Sequence, residues 1–187
     1  MKTFFNLIDK LNACPNEQVQ ISQEIWQTYG SQKAVLALDM SGFSSTVRRE
    51  GIIGYLAKIR KMQCLTEPLV IQYQGEIVKY EADNLLAVFD DCQMALEAAL
   101  AIRNICLDTG VSIGLDYGQI LYIAQKDCYG DTVNIAFKLG EDIAQSNEIL
   151  ITENLKNHLH HNNNFQLVRQ DISVSGLTFV AYQVIAQ

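Results

Sequence analysis

The chain has 187 residues, enough for one ordinary domain with a short appendage and too few for two full ones. Hydrophobic residues make up 49% and charged residues 19%, with 2 prolines, a composition that excludes a disordered segment. Against 14 Lys and Arg stand 21 Asp and Glu, and the net charge of −7 argues against nucleic acid or a membrane surface as a partner. Every apolar run is broken well short of the ~20 residues a membrane span needs. Asp9 and Lys10 interrupt the apolar start, so no secretory leader is expected. Cys14, Cys64, Cys92, Cys106 and Cys128 are scattered and read as reduced thiols, which predicts a cytoplasmic protein.

Residues 1–32 carry apolar side chains at spacings of three and four around the Cys14-Pro15-Asn16 break, predicting two short helices. They are expected to form an extension that serves as a cap, a dimer contact or a regulatory arm, with the main domain over 33–187. Ala34 to Met40 is nearly all apolar, as in a strand covered on both faces. Ser41-Gly42-Phe43-Ser44-Ser45 reads as a turn. Thr46 to Gln72 has helical spacing through Val47, Ile52, Leu56, Ile59, Met62, Leu65 and Leu69, with Pro68 near its last turns. Residues 76–80 and 85–89 form a hairpin joined through Glu81-Ala82-Asp83-Asn84. Asp91 to Leu107 is an amphipathic helix. Residues 111–117 and 119–123 are expected as a strand pair around Gly118, followed by a helix over 130–143, a strand over 148–151, a helix opening at Thr152 and two strands in the tail. The order β-α-β-β-α-β-β-α-β predicts an α+β fold, a split β-α-β sheet with helices mainly on one face.

Asp39 ends a buried strand, where a lone carboxylate pays a large desolvation cost, although a capping Asp is a common occupant of such a position. Asp83 sits in a tight turn, itself a common place for Asp. In a split β-α-β sheet the two are neighbours. Paired carboxylates beside the loop Met40-Ser41-Gly42-Phe43-Ser44, with its backbone N–H groups, suit divalent cations and a triphosphate.

Four segments then carry a resemblance. Leu38-Asp39-Met40-Ser41-Gly42-Phe43-Ser44 resembles the Asp-x-x-Gly-Phe-Thr opening of class III nucleotidyl cyclase domains. Gly75 to Phe89 is similar to the family's Gly-x-x-Val-Lys-x-x-Gly-Asp-x-x-x-Ala-x-Phe hairpin, Gly114 to Gly118 to its Gly-Ile-x-x-Gly strand, and Asp127 to Leu139 to Asp-x-x-Gly-x-x-Val-Asn-x-Ala-x-Arg. The resemblance implies the ferredoxin-like split core of class III cyclases, with an antiparallel-rich sheet. It implies Asp39 and Asp83 as ligands of two divalent metal ions per site, Mg²⁺ or Mn²⁺. Lys79 and Asp127 take the base-recognition positions, Asn134 the ribose-orienting position, and Lys138 the position of a triphosphate-binding arginine. The implied reaction turns a nucleoside triphosphate into a 3′,5′-cyclic nucleotide and pyrophosphate. In this family one protomer supplies the metal pair and its partner the base, ribose and arginine contacts, so a homodimer with two composite sites is implied; the downstream cyclic-nucleotide effector is not encoded in these motifs.

Lys79 is a donor and Asp127 an acceptor. Adenine sets an acceptor, N1, beside a donor, N6, which favours ATP; cytosine shows the same local pattern, so a pyrimidine cyclase, a class that signals in bacterial anti-phage defence, stands as the alternative. A degenerate domain that binds nucleotide without turnover is a second one. Three departures from the family pattern mark the chain: Ala82 replaces glycine, Lys138 replaces arginine, and no lysine follows Lys156, leaving Arg48, Arg49 or Arg169 as substitute cations. His158, His160 and His161 read as a solvated helix end rather than a metal cluster, Tyr122, Tyr129 and Phe137 as packing, and Cys128 as a buried thiol.

Overall fold

The apolar run that follows residue 30 becomes the central strand of the sheet. The structure, a computed structural model, describes residues 2–160, 165–174 and 176–186. Strand β1 (Gly30–Met40) lies between β3 (Asn84–Phe89) and β4 (Val111–Ile123), antiparallel to both. Strand β2 (Glu76–Glu81) pairs with β3 at one edge, and α3 (Phe43–Gln72) and α4 (Cys92–Ile105) are the crossover helices. The order β2-β3-β1-β4 is the split β-α-β core of an α+β fold. The sheet continues through β6 (Ile149–Thr152), parallel to β4, then β8 (Leu177–Ala186) and β7 (Phe165–Val174). The short β5 (Asp127–Tyr129) pairs with the far end of β4. Helix α5 (Asp131–Phe137) runs into a π-helical turn, Lys138–Ile143, and α6 (Glu153–Asn157) follows β6.

Because β1 is apolar at nearly every position, both of its faces need cover. Ala34, Leu36, Leu38 and Met40 pack beneath α3 and α4, while Val35 and Ala37 pack on the opposite face with Val133 and Ala136 of α5. The helices therefore lie on both faces, not mainly on one as the pattern predicted. Close approach of α5 depends on two glycines of β4. A methyl at Gly114 would meet the Ala136 carbonyl and stand 2.6 Å from Leu139 Cβ, and one at Gly118 would meet the Thr132 hydroxyl. Gly118 is thus a packing site and not a turn. Strand β4 runs unbroken over 13 residues, correcting the expected strand pair.

Helix α3 bends at Gly51, where φ is 75° and ψ 170°, and the bend resets its register. Tyr55, Ile59, Met62, Thr66 and Val70 become the buried stripe, whereas Ile52 and Leu56, expected to be buried, are each 51% exposed. At the N-terminus, α1 (Lys2–Ala13) and α2 (Gln18–Tyr29) flank a 3₁₀ turn at Pro15–Glu17. Their Phe4, Ile21 and Ile25 close over Ile123 at the end of β4. All five cysteines are free thiols, and among the described residues no helix is long and apolar enough to cross a membrane.

Candidate active site

Two carboxylates mark one end of the site. Asp39 is the penultimate residue of β1 and half-buried; Asp83 sits in the two-residue turn between β2 and β3, closed by the Glu81–Asn84 pair. Pairing of Leu38 with Leu85 makes them neighbours. Burial, then the charge of Asp83, then that of Glu141 pushes the Asp39 carboxyl up to about 6. The Tyr55 hydroxyl donates to Asp83 Oδ2 at 2.5 Å, and Asn84 Nδ2 donates to Glu141 Oε1 at 2.6 Å. Glu141, on the π-helical turn, is also raised, by burial and by Asp142 and Asp83. Raised carboxyls at Asp39 and Glu141 around the Asp83 charge suit a hard divalent cation, which relieves the repulsion. Among the described residues no group of three His, Cys, Asp or Glu is set to ligate a metal, so Asp39 and Asp83 fit a cation that takes its other oxygens from backbone, water or phosphate.

The adjoining loop is less open than its sequence suggested. Met40 belongs to the β1 ladder opposite Val111, with its side chain in the core, and the Ser41 N–H donates to the Gly110 carbonyl at 2.9 Å. The Ser41 N–H is thus committed to the sheet, and the Met40 N–H is turned to the Asp39 carboxylate. Gly42 turns the chain with φ 85°, and α3 starts at Phe43 and Ser44.

The other end of the site is built by a β-bulge. Between Ile77 and Lys79 the β2–β3 register slips by one residue, with Val78 inserted. Ile77 and Tyr80 pack on the α3 face, while Val78 packs on the α5 face; the slip leaves Lys79 beside Leu86 and Phe137. Its Nζ reaches Asp127 Oδ1 of β5 at 3.2 Å and Glu81 Oε2 at 3.1 Å. Burial lowers the Lys79 ammonium, but the hydrogen bonds to Glu81 and Asp127 outweigh it and hold it above the usual lysine value. Asp127 Oδ1 also accepts from the Cys128 N–H at 2.9 Å, and Oδ2 accepts from the Tyr129 hydroxyl at 3.2 Å. Asn134 is exposed on α5, and Lys138 opens the π-helical turn, 3.9 Å from Asp142.

A sequence model of the adenylate and guanylate cyclase catalytic domain matches residues 36–186. The chain belongs to this family. Its fold is similar to the catalytic core of a rhodopsin-guanylyl cyclase with converted specificity in complex with ATPαS (TM-score 0.74, 21% identity, 84% of this chain and 98% of that one). It is similar also to an adenylyl cyclase from P. aeruginosa (0.73, 18%, 84% and 96%) and to an adenylate/guanylate cyclase/hydrolase from Silicibacter pomeroyi (0.70, 26%, 84% and 98%). Among curated proteins no relative is found.

Glu81, Tyr55 and Glu141 at this site escaped the sequence reading, and the hydrogen bond of Tyr129 was not foreseen beside its packing. Glu81 and Tyr129 flank the Lys79–Asp127 pair, and Tyr55 and Glu141 flank Asp83 and Asp39. Only Tyr55 had a usable signal: counted from Gly51 rather than Thr46, the helical period falls on it. Elsewhere, the His158 Nδ1–H donates to the Asn154 carbonyl at 2.8 Å and the ring packs on Tyr117, and His161 lies outside the described residues. Tyr122 packs with its hydroxyl on Glu76, and Cys128 is a buried thiol that burial pushes up to about 12. Arg49 and Arg169 are held by Glu50 and Asp171.

Proposed function

We propose that this domain cyclises a nucleoside triphosphate, with ATP as the preferred substrate, at sites shared between two copies of the chain. The observation that carries the base assignment is the 3.2 Å contact between Lys79 and Asp127, which sets a donor beside an acceptor as adenine requires. Asp127 accepts from the exocyclic N6–H and Lys79 donates to N1. Asn134 orients the ribose, and the Lys138 ammonium faces the triphosphate. The ribose 3′-hydroxyl loses its proton to solvent as its oxygen bonds to the α-phosphorus, the bond from that phosphorus to the bridging oxygen breaks, and pyrophosphate leaves. Asp39 and Asp83 are the residues that would hold divalent cations, which would supply charge neutralisation for the transfer.

The shared-site reading is supported by two features of the single chain. Ile52, Ile53 and Leu56 are 51%, 75% and 51% exposed on the turns of α3 that carry Tyr55, beside Asp83, and a second chain would cover them. The depression at Lys79, Leu86 and Phe137 holds about 20 Å³, far less than a base, in keeping with a base gripped between this surface and that of a second chain.

The test is pyrophosphate release from ATP, GTP, CTP and UTP with Mn²⁺, with the cyclic product identified by mass. Cyclic AMP as the main product supports the assignment. Cyclic CMP would keep the donor–acceptor logic and move the protein to the pyrimidine branch. A preference for GTP overturns the base reading, and no release from any of the four overturns turnover itself.

A further inference from the structure

We propose that Tyr129 is a positioning residue for base selection, and that helix α1 holds it in place through Phe4. The inference rests on the reading of Asp127 as the base acceptor. Asp127 has two oxygens to aim. Oδ1 is held by the Cys128 N–H at 2.9 Å and by Lys79 at 3.2 Å, and Lys79 also reaches Oδ2, at the longer distance of 3.5 Å. Oδ2 accepts from the Tyr129 hydroxyl at 3.2 Å, and that hydroxyl is on a ring 36% exposed, one that would swing freely without a support.

The support comes from the first turn of the chain. The Phe4 ring stacks on Tyr129 with centroids 5.7 Å apart and planes 6° from parallel. Phe4 is itself 4% exposed, wedged edge-on against Tyr29 of α2 at 5.1 Å and Phe5 at 5.4 Å. Ile21 and Ile25 of α2 then fasten the helix pair to Ile123, at the base of the β4–β5 connection that carries Asp127. A continuous set of contacts therefore runs from residues 2–29 to one oxygen of the base-reading carboxylate. Nothing in that set touches Asp39, Asp83 or Lys138. Its loss should alter which base is held, and how tightly, more than the rate of the bond-making step.

The experiment compares Tyr129→Phe, Phe4→Ala, the double variant and Val19→Ala, a control on the exposed side of α2. Steady-state kinetics with ATP and GTP give KM and kcat. Calorimetry with α,β-methylene ATP and α,β-methylene GTP gives affinity without turnover. Tyr129→Phe keeps the stack but removes the hydroxyl; KM for ATP should rise about 5-fold to 10-fold, the ATP-over-GTP preference should narrow by a similar factor, and kcat should stay within about twofold, as expected for one hydrogen bond to a charged acceptor. Phe4→Ala should reproduce that pattern, Phe4→Trp should restore it, and the double variant should be no worse than either single one, because both act through one contact. Additive losses, a fall in kcat with unchanged base preference, or an unchanged KM in a wild type that cyclises ATP would overturn the proposal. Failure of both analogues to bind wild type would instead overturn the assignment of Asp127 and this inference with it.

Discussion

Gly114→Ala tests how the fold delivers Asn134 and Lys138. The added methyl would stand 2.6 Å from Leu139 Cβ and would overlap the Ala136 carbonyl. Carbon atoms in ordinary contact are ~3.5–4.0 Å apart, so the α5 segment has to retreat by about 1 Å. It has little freedom to do so, because Ala136 and Leu139 are themselves fully buried and Gly140 sits against the Ala37 carbonyl, 2.8 Å from where its own Cβ would be. Overpacking of this kind costs about 1–3 kcal/mol. For a domain of this size that lowers Tm by roughly 2–12 °C at ~2–4 °C per kcal/mol. Asn134 and Lys138 lie two residues either side of Ala136 and move with it, and a misplacement near 1 Å costs catalysis on the order of 100-fold. Thermal unfolding followed by circular dichroism, with kcat on the preferred triphosphate, reads both effects. A Gly114→Ala protein with wild-type Tm and turnover would refute the tight helix-on-sheet contact as the device that positions these residues.

Ala82 occupies the turn with φ 50°, where an L residue pays about 1 kcal/mol, so Ala82→Gly should leave stability equal or raise it by up to about 1 kcal/mol, and Ala82→Val should lower the urea midpoint. Mixing inactive Asp39→Ala with inactive Asn134→Ala chains should recover activity in one of the two sites of the heterodimer; no recovery after subunit exchange proven by mass would count against sites shared between chains. Asp116 is buried beneath α5 and its carboxyl is raised, chiefly by burial, despite a 2.5 Å hydrogen bond from Thr152. A raised folded-state value favours the protonated form, so its stabilisation is present below the usual carboxylate range and is lost as pH rises through the raised value; Asp116→Asn should flatten that slope in urea titrations across pH. Lys138→Ala should lower kcat by on the order of 100-fold while Lys138→Arg retains activity; if both stay within about threefold, another cation faces the triphosphate.

What was legible in the sequence was whatever depends on local pattern. The element order of the core and the hairpin at Ala82-Asp83 follow from periodicity and spacing, and the meeting of Lys79 with Asp127 follows from what the family resemblance implies. Where backbone geometry broke the period, the reading slipped. One left-handed glycine, Gly51, moved the buried stripe of α3 off Ile52 and Leu56 and onto Tyr55, Thr66 and Val70. A glycine inside β4 looked like a turn, because spacing cannot separate a residue that bends the chain from one that admits a neighbouring helix. The π-helical turn after Phe137 carries Glu141 toward Asp39, and no composition signal announces a π turn. Tyr129 read as packing because its hydrogen bond depends on a hairpin whose strands were drawn elsewhere.

The fold itself does not choose the base. Catalytic domains named for adenylyl and for guanylyl chemistry superpose on this chain almost equally well, with TM-scores of 0.73 and 0.72. Selection must then reside in side chains that share one backbone frame, and the base reading proposed above puts it in the few atoms around Lys79 and Asp127. The Val78 bulge turns Lys79 onto the α5 face; four residues later the same hairpin presents Asp83 at the metal end. One short strand thus fixes the spacing between the base and the cations, while Asp127 arrives from β5, the strand anchored by the N-terminal helices. Metal and base geometry are coupled through β2, whereas the acceptor half of base reading hangs on a separate element. On the proposed base reading, substitutions at β5 and its support should shift the preferred triphosphate, whereas substitutions at Asp39 or Asp83 should lower turnover with every triphosphate.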